Sequence, residues 1–105
     1  MKLTSIITVN FNQPVATIEF LKSVKESTQN DYIEVVLVDN GSGEDHQIEF
    51  EKVFPGLNYI RSENNLGFAG GNNLGIKQAK GDFLWFYAKH GKVKFTAVQV
   101  RPLED

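Results

Sequence analysis

Apolar residues in this chain gather in short dense runs, set apart by polar segments rich in asparagine and glycine. The densest run, Val35-Val36-Leu37-Val38, is continuous rather than alternating, the pattern of a strand buried on both faces. It closes on Asp39, and Asn40-Gly41-Ser42 then marks a turn. Leu3 to Val9 is a second β-rich run and ends at Asn10-Phe11-Asn12-Gln13-Pro14. That cluster predicts a strand end followed by a helix start, with Asn12 as N-cap and Pro14 in the first turn, where a missing N–H costs nothing. Val15, Ile18, Leu21 and Val24 recur at near-helical spacing and predict one apolar stripe through about Ser27.

The loop Gly41 to Asp45 feeds a second helix, where Ile48, Phe50, Val53 and Phe54 form no clean stripe; Pro55-Gly56 stops it. Leu57 to Arg61 predicts a short third strand. Ser62 to Asn73 predicts a long polar, glycine-rich loop, and Asn72 to Lys80 a third helix closed by Gly81 at the C′ position. Phe83 to Tyr87 predicts a fourth strand, apolar throughout and therefore central. Strands and helices that alternate in this way predict an α/β fold, with a mainly parallel sheet and helices on both faces. After Tyr87 the character changes. Ala88-Lys89-His90-Gly91 reads as a turn, Lys92 to Val100 as an edge strand with one polar face, and residues 101–105 as a frayed tail.

A length of 105 residues fits a single domain. The net charge of −2 provides no basic field to attract nucleic acid or anionic lipid. Cysteine is absent, which excludes disulfides and thiolate metal sites and fits a reducing compartment. No apolar run approaches the roughly 20 residues of a membrane span. The first residues lead directly into a strand and lack the features of a signal peptide, so a cytosolic location is expected.

Chemistry is expected where strands end, because ligands of open α/β sheets bind outside the carboxyl ends of the strands. Asp39 stands at such an end. It accepts hydrogen bonds from a base N–H or ribose hydroxyls, or else only shapes the turn or caps the next helix. Asn10 and Asn12 offer donors and acceptors together, and Phe11 an aromatic face; the alternative is a helix cap with a packed aromatic. The stretch Asn64 to Asn73 offers backbone amides to phosphate oxygens, or serves as an irregular connection. Neither nucleotide fingerprint fits. No G-x-G-x-x-G follows the first strand, and Ile76 stands where a P-loop lysine belongs. His46 and His90 lack a second ligand at metal spacing. Asp82 begins the fourth strand, away from the crevice, and is expected to shape a turn. The lysines from Lys77 to Lys94 read as solvated faces and a guarded edge.

Four segments in order carry a resemblance: Ser5-Ile6-Ile7-Thr8-Val9-Asn10-Phe11-Asn12; Val36-Leu37-Val38-Asp39-Asn40-Gly41-Ser42; Glu63-Asn64-Asn65-Leu66-Gly67-Phe68-Ala69-Gly70-Gly71-Asn72-Asn73-Leu74-Gly75; and Ala79-Lys80-Gly81-Asp82-Phe83-Leu84-Trp85-Phe86. From about Leu3 to Phe86 the chain resembles the amino-terminal half of a family 2 glycosyltransferase of the GT-A type, of the rhamnosyltransferase-like branch. The resemblance implies a truncated GT-A fold: a three-layer α/β/α sandwich with parallel strands in the order 3-2-1-4. One domain is expected over residues 1–105, with an antiparallel edge strand at 92–100; residues 88–105 are a divergent tail to which the resemblance does not extend.

The resemblance also implies a nucleotide-diphosphate sugar as donor and a hydroxyl of a glycan or lipid-linked glycan as acceptor, at the cytoplasmic side and without nucleic acid. Asn10, Phe11, Asn12 and Asp39 are then expected to hold the nucleoside, and Asn65, Gly67, Gly70 and Asn72 to line the donor pocket. In the family, Mn²⁺ or Mg²⁺ is held by an Asp-rich motif after the fourth strand, where it offsets charge on the leaving group. Here Ala88-Lys89-His90-Gly91 follows instead, so the metal motif is absent, and no catalytic base is assigned. A truncation, an altered reading frame and a degenerate paralogue each account for that departure. The chain alone is then expected to have little transferase activity. The alternative is a non-catalytic nucleotide-binding or protein-interaction module that self-associates through exposed apolar surface.

Overall fold

The structure is a computed structural model that describes residues 3–27, 32–87 and 95–99. Strand β1 (Thr4–Asn10) leads into helix α1 (Pro14–Ser27), followed by β2 (Ile33–Asn40), α2 (Gln47–Val53), β3 (Asn58–Ser62), α3 (Gly67–Gln78), β4 (Phe83–Tyr87) and β5 (Phe95–Gln99). The five strands form one sheet in the order β3-β2-β1-β4-β5. The first four are parallel, and β5 joins β4 antiparallel as an edge. This is the expected order, 3-2-1-4, with the antiparallel edge observed at residues 95–99 of the predicted 92–100. The predicted turn at 88–91, residues 92–94 and 100 of the predicted edge strand and the tail at 101–105 lie outside the described residues. Among the described residues no helix is long and apolar enough to cross a membrane.

The period of two along the central strands builds two cores. Ile6, Val35 and Leu37 face Phe20, Leu21 and Val24 of α1 and Phe50 of α2. Ile7, Val36 and Val38 face the other way, onto Leu74, Ile76 and Ala79 at the α3 side and Leu84 of β4. Burying each large aliphatic side chain contributes about 1.5–3 kcal/mol, which explains why β2 carries an unbroken apolar run. The sheet therefore has α1 and α2 on one face and α3 on the other.

Several boundaries differ from the sequence expectations. Helix α3 begins at Gly67, not Asn72, so most of the predicted loop is helix. Glycine is a poor helix former, but here close packing overrides propensity. A Cβ at Gly71 would stand 3.1 Å from Val9 Cγ1, and one at Gly75 would stand 2.7 Å from Ile7 Cγ2. These two glycines, four residues apart on one face, let the helix lie directly on β1 and β2. Gly81 is not a left-handed C′ residue, since the cap, Ala79, is extended with φ −71°. Gly81 is instead pressed against β1, where a Cβ would meet Ser5 Oγ at 2.5 Å. Val15 is 69% exposed and stands outside the α1 stripe, which is carried by Thr17, Phe20, Leu21 and Val24. Asn12 is not the N-cap: it is left-handed, with φ 53°, and lies two residues ahead of the helix.

Candidate functional site

Parallel pairing brings the carboxyl ends of β1, β2 and β3 to one rim. Asn10 is the register partner of Asp39, and Asp39 is the partner of Arg61. All three side chains belong to the face that carries α1 and α2, and they meet there. Asp39 Oδ1 accepts from Asn10 Nδ2 at 2.8 Å and from Ser42 Oγ at 2.6 Å. Asp39 Oδ2 accepts from the Ser42 amide at 3.3 Å and pairs with Arg61 Nη1. The carboxylate is only 1% exposed. A buried carboxylate persists only when its acceptor positions are filled and its charge is opposed, and here both conditions hold.

Asn10 is the hub of this network. Its Nδ2 is shared between Asp39 and Ser42 Oγ, the latter at 3.3 Å. Its Oδ1 accepts from Thr17 Oγ1 at 2.7 Å and the Gln13 amide at 3.3 Å, so Asn10, not Asn12, receives a donor at the start of α1. Both ends of the amide are thus used inside the protein. Asn12 closes the outer side. Its amide donates to Ser42 Oγ at 2.9 Å, and its Oδ1 accepts from the Gly43 amide at 2.8 Å. Phe11, between them, is 43% exposed at the rim. A shallow cavity of about 360 Å³ opens beside this loop, lined by Asn12, Pro14, Ser42, Gly43, Glu44 and His46.

Arg61 forks. Besides Asp39 it donates to the Ser42 carbonyl at 2.8 Å and the Glu44 carbonyl at 3.4 Å, fixing the loop after β2 against β3. Tyr59 reinforces the tie by donating to Asp45 Oδ1 at 2.8 Å. Burial, and next the bond to Asp45, push the Tyr59 hydroxyl pKa up; the same bond is the main cause that holds Asp45 below the usual carboxylate value. His46 stands between Glu44 at 3.5 Å and Glu49 at 3.2 Å.

On the α3 face, Asn40 links the rim to the glycine segment. Its Nδ2 donates to the Gly67 carbonyl at 2.9 Å and Asn65 Oδ1 at 3.2 Å, while its Oδ1 accepts from the Leu66 amide at 2.9 Å. Gly67 takes φ +77°, a conformation glycine adopts without strain, and opens the helix there. Gly70 packs over Leu66, whose Cβ would be 2.7 Å from an added Cβ. Asn72 is buried; its Nδ2 donates to the Phe68 carbonyl at 3.0 Å, and its Oδ1 has no partner.

The structure therefore brings Asn10, Asn12 and Asp39 into one network, places Phe11 on its rim, and connects Asn65 and Gly67 to it through Asn40. Gly70 and Asn72 stand farther along α3. Sequence reasoning did not single out Arg61, Ser42, Thr17 or Asn40 as partners of the site. Ser42 had a local signal, since Asp-Asn-Gly-Ser is a turn whose hydroxyl can fold back on the aspartate. Among the described residues no group of three or more His, Cys, Asp or Glu could hold a metal ion. Residues 88–91, where the metal motif is expected, lie outside the described residues.

Comparison with known proteins follows the same lines. The family model described as "Glycosyl transferase family 2" matches residues 5–99. The match runs past Phe86, where the four segments of the resemblance end. An uncharacterised glycosyltransferase of Mycobacterium tuberculosis is 34% identical over 96 residues, which covers 91% of this chain and 36% of that protein. One from Haemophilus influenzae is 34% identical over 84 residues, covering 80% of this chain and 28% of that protein. The chain thus spans about a third of the length of the curated relatives it matches. Among solved structures, S. aureus TarS superposes with a TM-score of 0.69 at 31% identity, covering 80% of this chain and 16% of that one. A TarS structure of residues 1–349 in complex with UDP-GlcNAc gives a TM-score of 0.64 at 30% identity, over 81% of this chain and 26% of that one. The mannosyltransferase PcManGT from Pyrobaculum calidifontis, in complex with GDP-Man and Mn²⁺, shares the fold at 20% identity with a TM-score of 0.67, over 80% and 26%.

Proposed function

The chain belongs to glycosyl transferase family 2, and we propose that it forms the donor-binding part of such an enzyme, holding a nucleotide-diphosphate sugar at the carboxyl rim of the sheet. The observation that carries this reading is the register of the central strands: Asn10, Asp39 and Arg61 stand side by side where β1, β2 and β3 end. Ligands of open α/β sheets bind at that place. Asp39 takes the nucleoside through charge-assisted hydrogen bonds, Phe11 offers the aromatic face, and Asn12 and Ser42 shape the loop between them. The glycine segment from Asn65 faces the donor across Asn40. TarS, a relative in sequence and fold, is known in complex with UDP-GlcNAc and with UDP, which supports a nucleotide at this rim.

The reaction is displacement at the anomeric carbon by an acceptor hydroxyl. A divalent cation would supply charge neutralisation on the leaving diphosphate. The stretch Ala88-Lys89-His90-Gly91 provides no carboxylate to hold one. Among the described residues no group of three or more His, Cys, Asp or Glu could hold a metal ion, no catalytic base is assigned, and transfer by this polypeptide alone is expected to be negligible. A second reading, a self-associating module without catalysis, is favoured by the exposed Phe11, Leu66 and Phe68 at the same rim, which are 43%, 47% and 54% exposed. Light scattering separates the two, because a monomer at high concentration removes the second. Calorimetric titration with UDP, dTDP and GDP, with and without Mn²⁺, tests the first. Asp39→Ala is expected to weaken binding by about tenfold or more, the loss of a charge-assisted hydrogen bond of about 1.5–3 kcal/mol, while the fold is retained by circular dichroism. Unchanged affinity removes Asp39 from the site.

A further inference from the structure

Asp39 is closed to any ligand in this structure. It is 1% exposed, and four donors fill the acceptor positions of its two oxygens. An incoming N–H or O–H reaches the carboxylate only if one of those donors leaves. Asn10 is 1% exposed and bound at both ends of its amide, so it is fixed. Ser42 is 5% exposed and holds Asp39 through its backbone amide as well as its hydroxyl, and its carbonyl is tied to Arg61. Arg61 differs from both. Its side chain is 33% exposed, it is long, and it extends from β3, an edge strand of the sheet.

We propose that Arg61 is a displaceable latch over Asp39. In the ligand-free protein its guanidinium occupies the acceptor position on Oδ2 that a nucleoside ring N–H or ribose hydroxyl takes when a nucleoside diphosphate binds. The proposal rests on the nucleotide-sugar reading above and adds to it a residue that sets affinity without contributing to it. The geometry gives the guanidinium somewhere to remain. It already donates to the Ser42 carbonyl at 2.8 Å and the Glu44 carbonyl at 3.4 Å, so releasing Oδ2 breaks one of its bonds rather than all of them. Those carbonyls belong to the loop that lines the cavity beside Ser42, so the arginine turns outward along the rim instead of into solvent.

The latch makes a prediction opposite in sign to that of a supporting residue. A closed majority state lowers apparent affinity by the fraction of molecules that are open. Arg61→Gln removes the competitor; if about a tenth of molecules are open, affinity rises about tenfold. Arg61→Lys retains a cation but not the fork that holds Oδ2 and the Ser42 carbonyl together, and is expected to gain less. The experiment titrates UDP, dTDP and GDP into the 105-residue chain and into Arg61→Gln, Arg61→Lys and Asp39→Ala, with folding of each checked by circular dichroism. Tighter binding in both Arg61 variants, with loss of binding in Asp39→Ala, supports the latch. Weaker or equal binding in the Arg61 variants, with loss in Asp39→Ala, overturns the latch and leaves Asp39 as the nucleoside contact. Unchanged affinity in Asp39→Ala overturns the nucleoside reading and the latch with it. If Arg61→Gln does not fold, Arg61→Lys decides by the same sign.

Discussion

Strand β2 carries a carboxylate near each end, and the two are held in contrasting ways. At the amino rim Glu34 accepts from Ser5 Oγ on β1 at 2.7 Å, Asn58 Nδ2 on β3 at 3.1 Å and the Lys80 amide at 2.9 Å. At the carboxyl rim Asp39 is likewise bridged to β1 by Asn10 and to β3 by Arg61. The arrangement across three strands is the same, but the partners differ. Glu34 stays partly in water and is bonded by neutral groups. Burial raises its pKa; the bonds from Ser5, Lys80 and Asn58, with the Lys80 charge, outweigh that and hold it below its ordinary value. Asp39 is withdrawn from water and opposed by a cation on a long, half-exposed arm. The amino rim is a seam that fastens the end of α3 to the sheet. The carboxyl rim keeps a buried charge beneath a partly exposed arginine, the difference on which the proposed latch rests.

The contrast breaks most readily at Asn10. Asn10→Leu removes both ends of the amide, takes one buried hydrogen bond from the Asp39 carboxylate and one from Thr17 Oγ1, and is expected to cost about 3 kcal/mol or more in urea denaturation. A cost no larger than that of Ser5→Ala, expected at about 1 kcal/mol, would erase the difference between the rims. Gly81→Ala sharpens the contrast from the other side. Its Cβ would stand 2.7 Å from the Ser5 amide nitrogen and 2.9 Å from the Leu3 carbonyl oxygen, both backbone atoms that cannot give way. The expected loss is about 2 kcal/mol of stability with nucleotide affinity unchanged, since the proposed site lies at the opposite rim. Altered affinity would show that the two rims are coupled. The smallest effect belongs to Glu34→Gln, about 1 kcal/mol or less at neutral pH because the group is partly exposed. Glu34 titrates below its ordinary value of 4.5 in the folded protein, so its contribution is present above that pH and lost as pH falls through the lowered value. Melting temperature against pH should therefore fall less steeply below pH 4.5 for the variant than for the parent chain.

The strands were legible because burial on both faces leaves a composition that little else produces. Val35 to Val38 and Phe83 to Tyr87 read as strands, and the alternation of elements then predicted a mainly parallel sheet, while the order 3-2-1-4 came from the resemblance. Helix α3 was hidden by its own glycines. Local propensity reads Gly67 to Gly71 as loop, whereas the reason for glycine at 71 and 75 is the approach of the helix to Ile7, Val9 and Val38. No spacing rule reveals that before the sheet exists. At the site, Asn10 and Asp39 were legible as strand ends. Their mutual bond needed the β1–β2 register, which places them opposite one another. Arg61 was the least accessible: it closes a short strand, and its significance depends on the β2–β3 register, which a single sequence leaves undetermined. Asn12 misled for a local reason. Its type suits a cap, but two adjacent residues of the loop after β2, Ser42 and Gly43, take up its hydrogen-bonding groups first.

The most direct measurement is amide chemical-shift mapping of the labelled chain as UDP, dTDP or GDP is added. The account predicts shifts at Phe11, Asn12 and Asn40 to Gly43, with the amides of Ser5, Glu34 and Lys80 unmoved. Shifts that gather at Ser5, Glu34 and Lys80, or that leave Asn40 to Gly43 untouched at saturation, would contradict it.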